Sequence, residues 1–309
     1  MSRLKPVATL ALLLAALPLT AQTRRVAVTF DDLPGLYVNN CDAHTYRRLN
    51  QQLVAAIRRN GMPALGLINE SKLCDEKRGQ LASILSIWLD ADLDLGNHTF
   101  SHIDFNTSTI AEFEKNIVDG ETTLKPLLVS RGKKLQYFRF PFLRTGRELA
   151  KKRAIEAFLR ERGYEQAVVT LDSDEYIYAV VYAAALRDHD TKLARHIADD
   201  YIRYMESIFT FYEKFSRDTL GYEPPQILLL HDHQLNADML DTLAKMIRGR
   251  GYAFIRIAEA LRDPVYRRSD AYVGGRGLSW IHRWALDDGK PAPAQPGPSA
   301  WVMKLQRRR

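Results

Sequence analysis

The chain reads as an α/β fold on a mainly parallel sheet, open or closed into a barrel. Three observations predict it. Short β-branched or Leu-rich runs alternate with amphipathic helical stretches along most of the 309 residues, and strand–helix–strand order repeated this often means parallel pairing. At least four of the strand-like runs end in ionisable residues with the same polarity, at the end where parallel α/β folds place their sites. A content of 46% apolar and 10% aromatic residues supplies a large core, which excludes wholesale disorder.

Residues 1–21 have the layout of a secretory signal peptide. Arg3 and Lys5 form its positive start, 7–19 an uncharged Leu/Ala-rich stretch, and Leu19-Thr20-Ala21 a small-residue ending before Gln22. The apolar stretch of 13 residues falls short of the roughly 20 that span a bilayer. Cleavage is therefore expected ahead of an uncleaved anchor, giving an exported protein, periplasmic or secreted, with no stable membrane span.

Strands are expected at 25–30, 64–69, 93–96, 136–140, 166–171, 226–231 and 253–257. In the helix predicted for 43–60, Tyr46, Leu49, Leu53, Ala56 and Ile57 share one face, and Gly61 stops it. Similar patterns mark 79–89, 109–129, 147–162 and 237–250. The stretch 177–218 is aromatic-rich and helical with no strand inside it, and reads as a helical insertion. The proline-rich run 291–298 cannot be helical and reads as an extended linker. The expected organisation is thus a leader over 1–21, a main domain over 22–265 and an extension over 266–309 with a basic tail. In that extension, the aromatic run 277–284 is expected to pack against the domain rather than stack on a sugar.

The formal charge of +7 does not mark a nucleic-acid binder. Arg3 and Lys5 lie in the leader, Lys304, Arg307, Arg308 and Arg309 cluster at the end, and the body between is near neutral with no basic stripe. Cys41 and Cys74 are the two cysteines. An oxidising compartment permits a bridge between them, worth roughly 3.5 kcal/mol on the chain-entropy argument; two thiols fit the sequence equally well.

Four clusters carry chemistry. The run 26–30 delivers Asp31 and Asp32 to a strand tip, where two adjacent anions need a cation beside them. His98 and His102 follow the run 93–96 at a spacing that places both on one face of a helical turn. With Asp32 they make two imidazoles and a carboxylate, a donor set with open positions that suits a catalytic Zn²⁺, or another divalent transition metal. Arg139 ends the strand 136–140, where pairing with Asp31 relieves both charges. His231 follows the buried run 227–230 as a candidate proton donor, with Asp172 the candidate carboxylate to fix its tautomer. Asp232 and His233 are read as supporting or solvent-facing.

These clusters resemble the five ordered motifs of the polysaccharide deacetylases, metal-dependent carbohydrate esterases. Thr29-Phe30-Asp31-Asp32 is similar to the first, 98–102 to the second, Arg139-Phe140-Pro141-Phe142 to the third, 172–176 to a degenerate fourth and Leu229-Leu230-His231 to the fifth. The resemblance covers roughly 25–262. It implies a distorted parallel (β/α) barrel, Asp32, His98 and His102 on the metal, Asp31 as base oriented by Arg139, and His231 as acid supported by Asp172. It also implies a backbone N–H near Phe142 at the oxyanion, and Leu229 with an aromatic, here Tyr176, around the acetyl group. Tyr176 stands where the family usually has Trp, and Glu175 where an Asp is common. The implied partner is a carbohydrate or a small acetylated substrate. Hydrolysis of a small amide is the nearest alternative; a non-haem iron oxygenase and an inactive carbohydrate-binding protein are more distant ones.

Overall fold

A computed structural model describes residues 24–38, 42–74 and 79–308. The leader lies outside them, as does Cys41; Cys74 is disulfide-bonded. No helix among the described residues is long and apolar enough to cross a membrane.

The sheet is organised around β1 (Arg24–Leu33), whose residues from Val26 onward are all buried. Coverage on both faces explains why its sequence is a nearly continuous apolar run. It pairs in parallel with β2 (Ala64–Ile68) on one side and β6 (Gln226–His231) on the other, while β7 (Tyr252–Phe254) takes its first residues. Beyond β2 come β3 (Asp94–Asn97), β4 (Tyr137–Phe138) and β5 (Glu165–Gln166), again parallel. Past β5 the chain crosses to the far edge, where Leu171 bridges Leu228 and Thr170 Oγ1 accepts from Ile227 N. The result is the distorted parallel (β/α) barrel. Because the segment after Gln166 is in transit between two edges, β5 has two residues rather than the six expected. In the same way, Pro141 and positive φ at Phe142 and Leu143 end the ladder that β4 begins.

The helices follow their apolar periodicity. α1 (Ala43–Arg59) starts at Asp42, whose carboxylate accepts from Thr45 N; α2 (Leu81–Asp90), α5 (Leu149–Glu161) and α8 (Gln234–Gly249) lie near their expected positions. The single helix expected over 109–129 is two, α3 (Ile110–Asp119) and α4 (Leu124–Ser130). They part at Gly120, where a Cβ would stand 2.9 Å from Asn97 Oδ1 and 3.0 Å from Phe100 N, so the chain turns where it presses on the end of β3. The insertion is a helical hairpin of α6 (Glu175–Arg187) and α7 (Thr191–Leu220), the second capped by Asp190. The strand expected at 253–257 stops at Phe254 and gives way to the short α9 (Ile257–Ala260). In the extension, α10 (Trp280–Asp287) packs on α7 and α11 (Ala300–Gln306) on α6. A satellite core of Phe105, Phe113, Phe138 and Phe140 underlies the loop after β3 and fixes its height above the sheet.

Candidate active site

Five strand ends meet at one mouth of the barrel. Near its end β1 carries Asp31 and Asp32, just before Leu33, and register pairs Asp31 with His231 at the end of β6. The loop after β3 brings His98 and His102 together, but not as a helical turn. Thr99 and His102 adopt left-handed φ of 67° and 56°, and Asn69 Nδ2 donates to the carbonyls of His98 and Thr99. These side-chain hydrogen bonds replace the helical ladder and bring the rings within 4.9 Å, centroid to centroid.

One ligand atom from each of Asp32, His98 and His102 lies within 4.8 Å of the others. His98 Nδ1–H donates to the Arg139 carbonyl at 2.9 Å, which leaves Nε2 as the free lone pair. His102 Nε2 is 3.5 Å from Asp32 Oδ1. That oxygen is buried without a hydrogen-bond donor, with Lys72 Nζ 3.7 Å away, and a cation seated directly against it would satisfy it. Burial lowers both imidazoles, His102 to about 4, so both offer neutral nitrogens. Burial works against ionisation of Asp32, but Lys72 and the surrounding imidazoles outweigh it and hold the carboxyl well below the usual range. Two neutral imidazoles and an unsatisfied carboxylate oxygen fit a Zn²⁺-type cation.

Arg139 is wholly buried. Its Nη1 donates to Asp31 Oδ1 at 2.5 Å and Thr29 Oγ1 at 2.8 Å, and its Nε to the Ala167 carbonyl at 2.8 Å. His231 differs from expectation. The carboxylate on its Nδ1 is Glu175, at 3.0 Å, not Asp172. Asp172 ends the crossing segment, accepts from Ser173 N and lines the cleft, whereas Glu175 opens α6 and is fully buried beneath His231. Burial and then Asp174 push Asp172 up to about 7. Asp232 and His233 are buried rather than solvent-facing: His233 Nε2 lies 2.5 Å from the second oxygen of Glu175, and its Nδ1 accepts from Asn236 N.

The cleft measures about 680 Å³, and Phe142, Tyr176, Leu229, Tyr37, Lys72, Arg276 and Gly277 are among the other residues that line it. Phe142, at φ 58°, sets its ring 4.4 Å from that of His102. Tyr37 donates to the Tyr176 carbonyl at 3.2 Å, tying the first turn of the insertion over the site. Sequence reasoning gave no role to Glu175, Lys72 or Arg276. Glu175 had a weak signal, as the third acid in 172–175; Lys72 and Arg276 had none.

A family model described as polysaccharide deacetylase matches residues 19–159, just under half of the chain. No curated protein matches. Among solved structures, the chain is similar to a variant of a carbohydrate esterase family 4 pseudoenzyme from Bacillus anthracis, with TM-score 0.51 and 14% identity over 78% of this chain and 68% of that one. It is also similar to a family 4 acetyl xylan esterase from Clostridium thermocellum in complex with a cobalt ion, with TM-score 0.50 and 17% identity over 77% of this chain and 90% of that one. At these identities the likeness speaks to the fold.

Proposed function

We propose that the chain, whose residues 19–159 match a family model described as polysaccharide deacetylase, is a hydrolase that removes N- or O-acetyl groups from a carbohydrate. The observation that carries this reading is the convergence of Asp32, His98 and His102 beside an Asp31 already held by Arg139. When bound by those three residues, a divalent transition metal such as Zn²⁺ supplies Lewis acidity to the acetyl carbonyl and lowers the pKa of water. Asp31, held by the hydrogen bond from Arg139 Nη1 to its Oδ1, accepts the proton of the attacking water. The backbone N–H of Phe142 donates to the carbonyl oxygen as charge develops on it. His231 gives its Nε2 proton to the leaving amine or alkoxide, and Glu175, which accepts from Nδ1–H, turns the Nε2–H of the imidazolium toward the substrate. Leu229 and Tyr176 enclose the acetyl methyl. Export through the leader is part of the same proposal.

The test is acetate release from a panel of N- and O-acetylated glycans, with and without chelator. Acetate from at least one glycan, abolished by chelation and restored by Zn²⁺, is the expected result. Zinc-loaded protein that releases none overturns the reading.

A further inference from the structure

The extension does pack on the barrel, with Trp280, Ile281 and Trp284 buried, but one loop of it enters the cleft. That loop is clamped along its length. Asn106 Nδ2 donates to the Gly274 carbonyl at 3.0 Å, Gly274 N to the Gly146 carbonyl at 3.2 Å, Tyr272 OH to the Arg276 carbonyl at 3.1 Å, and Arg283 Nε to the Leu278 carbonyl at 3.0 Å. Arg283 is itself buried; it also donates to Thr145 Oγ1 at 2.9 Å, Asp270 Oδ2 at 2.7 Å and the Leu143 carbonyl. The Trp280 and Tyr272 rings lie 4.0 and 5.2 Å from its guanidinium carbon. Gly277 approaches Phe142 so closely that a Cβ would stand 1.8 Å from the Phe142 carbonyl oxygen. A loop held this way keeps its shape, and it carries Arg276 to the edge of the cleft.

The cleft's other cations have acids beside them: Arg139 bonds Asp31, Arg144 bonds Asp104, and Lys72 lies 3.7 Å from Asp32. Among the described residues, the exposed Arg276 guanidinium makes no hydrogen bond or ion pair. Asp172 and Asp174 line the same cleft, but burial pushes both upward, which weakens any cancelling of the Arg276 charge. A planar fork of five donors, carried on a clamped backbone and left unsatisfied, matches a two-oxygen anion. Resting on the deacetylase reading, we propose that Arg276 binds a carboxylate or phosphate on the acetylated substrate, so that the preferred substrate is an acidic acetylated sugar rather than a neutral glycan.

The experiment uses three probes on zinc-loaded protein: a neutral N-acetylglucosamine oligomer, an N-acetylated amino sugar bearing a lactyl carboxylate, and N-acetylglucosamine phosphate. Binding by calorimetry and KM for acetate release are measured for the wild type, Arg276→Ala and Arg276→Glu. The wild type is expected to favour an acidic probe over the neutral one about tenfold or more, the value of one bidentate charged contact of about 1.5–3 kcal/mol. Arg276→Ala should bring that ratio near unity, and Arg276→Glu should invert it. Whether the carboxylate or the phosphate probe gains identifies the anion. Equal binding of acidic and neutral probes by the wild type, absence of any binding, or a preference that survives Arg276→Ala overturns the proposal. An acidic preference in binding without acetate release supports Arg276 and removes the deacetylase reading instead.

Discussion

Glu175 joins two histidines: Oε1 accepts from His231 at both the backbone N, at 2.7 Å, and Nδ1, at 3.0 Å, while Oε2 lies 2.5 Å from His233 Nε2. Asn236 N donates to His233 Nδ1, so the proton of that ring sits on Nε2 and faces Glu175. These three donors and Asn236 Nδ2, at 3.4 Å from Oε1, converge on one buried carboxylate, and together they fix the ring of the proposed acid.

Glu175→Gln should therefore lower kcat by about 10²–10⁴-fold and move the alkaline limb of the pH–rate profile to lower pH, with zinc content unchanged. Steady-state kinetics across pH, beside metal analysis, checks this. An unmoved limb would remove Glu175 from the acid's support.

The proton on His231 also bears on stability. Burial opposes its charge, but the Glu175 hydrogen bond and charge, with Asp32 and Asp31, raise it to about 9. A pKa raised on folding adds stability that is complete below the unfolded value of roughly 6.5 and is lost as pH climbs through the folded value. In chelator-treated protein, the melting-temperature gap between the wild type and His231→Gln should be widest near pH 6 and shrink toward pH 9. A gap that widens with pH contradicts the assignment.

Base and ligand roles separate by metal content. Asp31→Asn should retain zinc yet lose at least about 10²-fold in turnover, and His98→Ala should lose the zinc itself. Elemental analysis of both purified variants distinguishes them; an active Asp31→Asn protein would falsify the base assignment.

Zinc held by Asp32, His98 and His102 should stabilise the fold, by about 2.7 kcal/mol at a free concentration one hundred times its dissociation constant. Thermal melts in chelator and in graded zinc measure this. The increment should vanish in Asp32→Ala, and a melt indifferent to zinc speaks against the site.

Gly277→Ala tests the wall of the cleft. The added methyl collides with the Phe142 carbonyl and must displace the loop proposed to hold the oxyanion, where a shift of about 1 Å is worth up to about 10²-fold in rate. The expected result is reduced kcat with zinc retained. Arg283→Ala leaves Asp270 paired with Lys152 at 2.7 Å but removes the donors to Thr145 and to the Leu143 and Leu278 carbonyls, and should cost about 1–3 kcal/mol in denaturant unfolding.

Much of this was legible in the sequence, for definite reasons. The runs 26–30 and 227–230 are buried on both faces and so are continuously apolar, and the acids and histidines that follow them had to lie at strand tips. The lengths of β4 and β5 were not legible, since Pro141 and the crossing to Leu171 end them for reasons of barrel closure. The partner of His231 was hidden because Asp172, Asp174 and Glu175 are neighbours in sequence, and only the start of α6 decides which of them turns inward. The left-handed residues at Thr99 and His102 leave no compositional trace.

The clamp on the Phe142 loop lies far along the chain from the strands it serves. The strands end at residue 254, whereas Gly277, which presses on Phe142, and Arg283, which bonds the Leu143 carbonyl, come later in the sequence. The side chains proposed to do the chemistry and the residues that shape the wall beside them are therefore written in separate stretches, so one can vary while the other stays as it is.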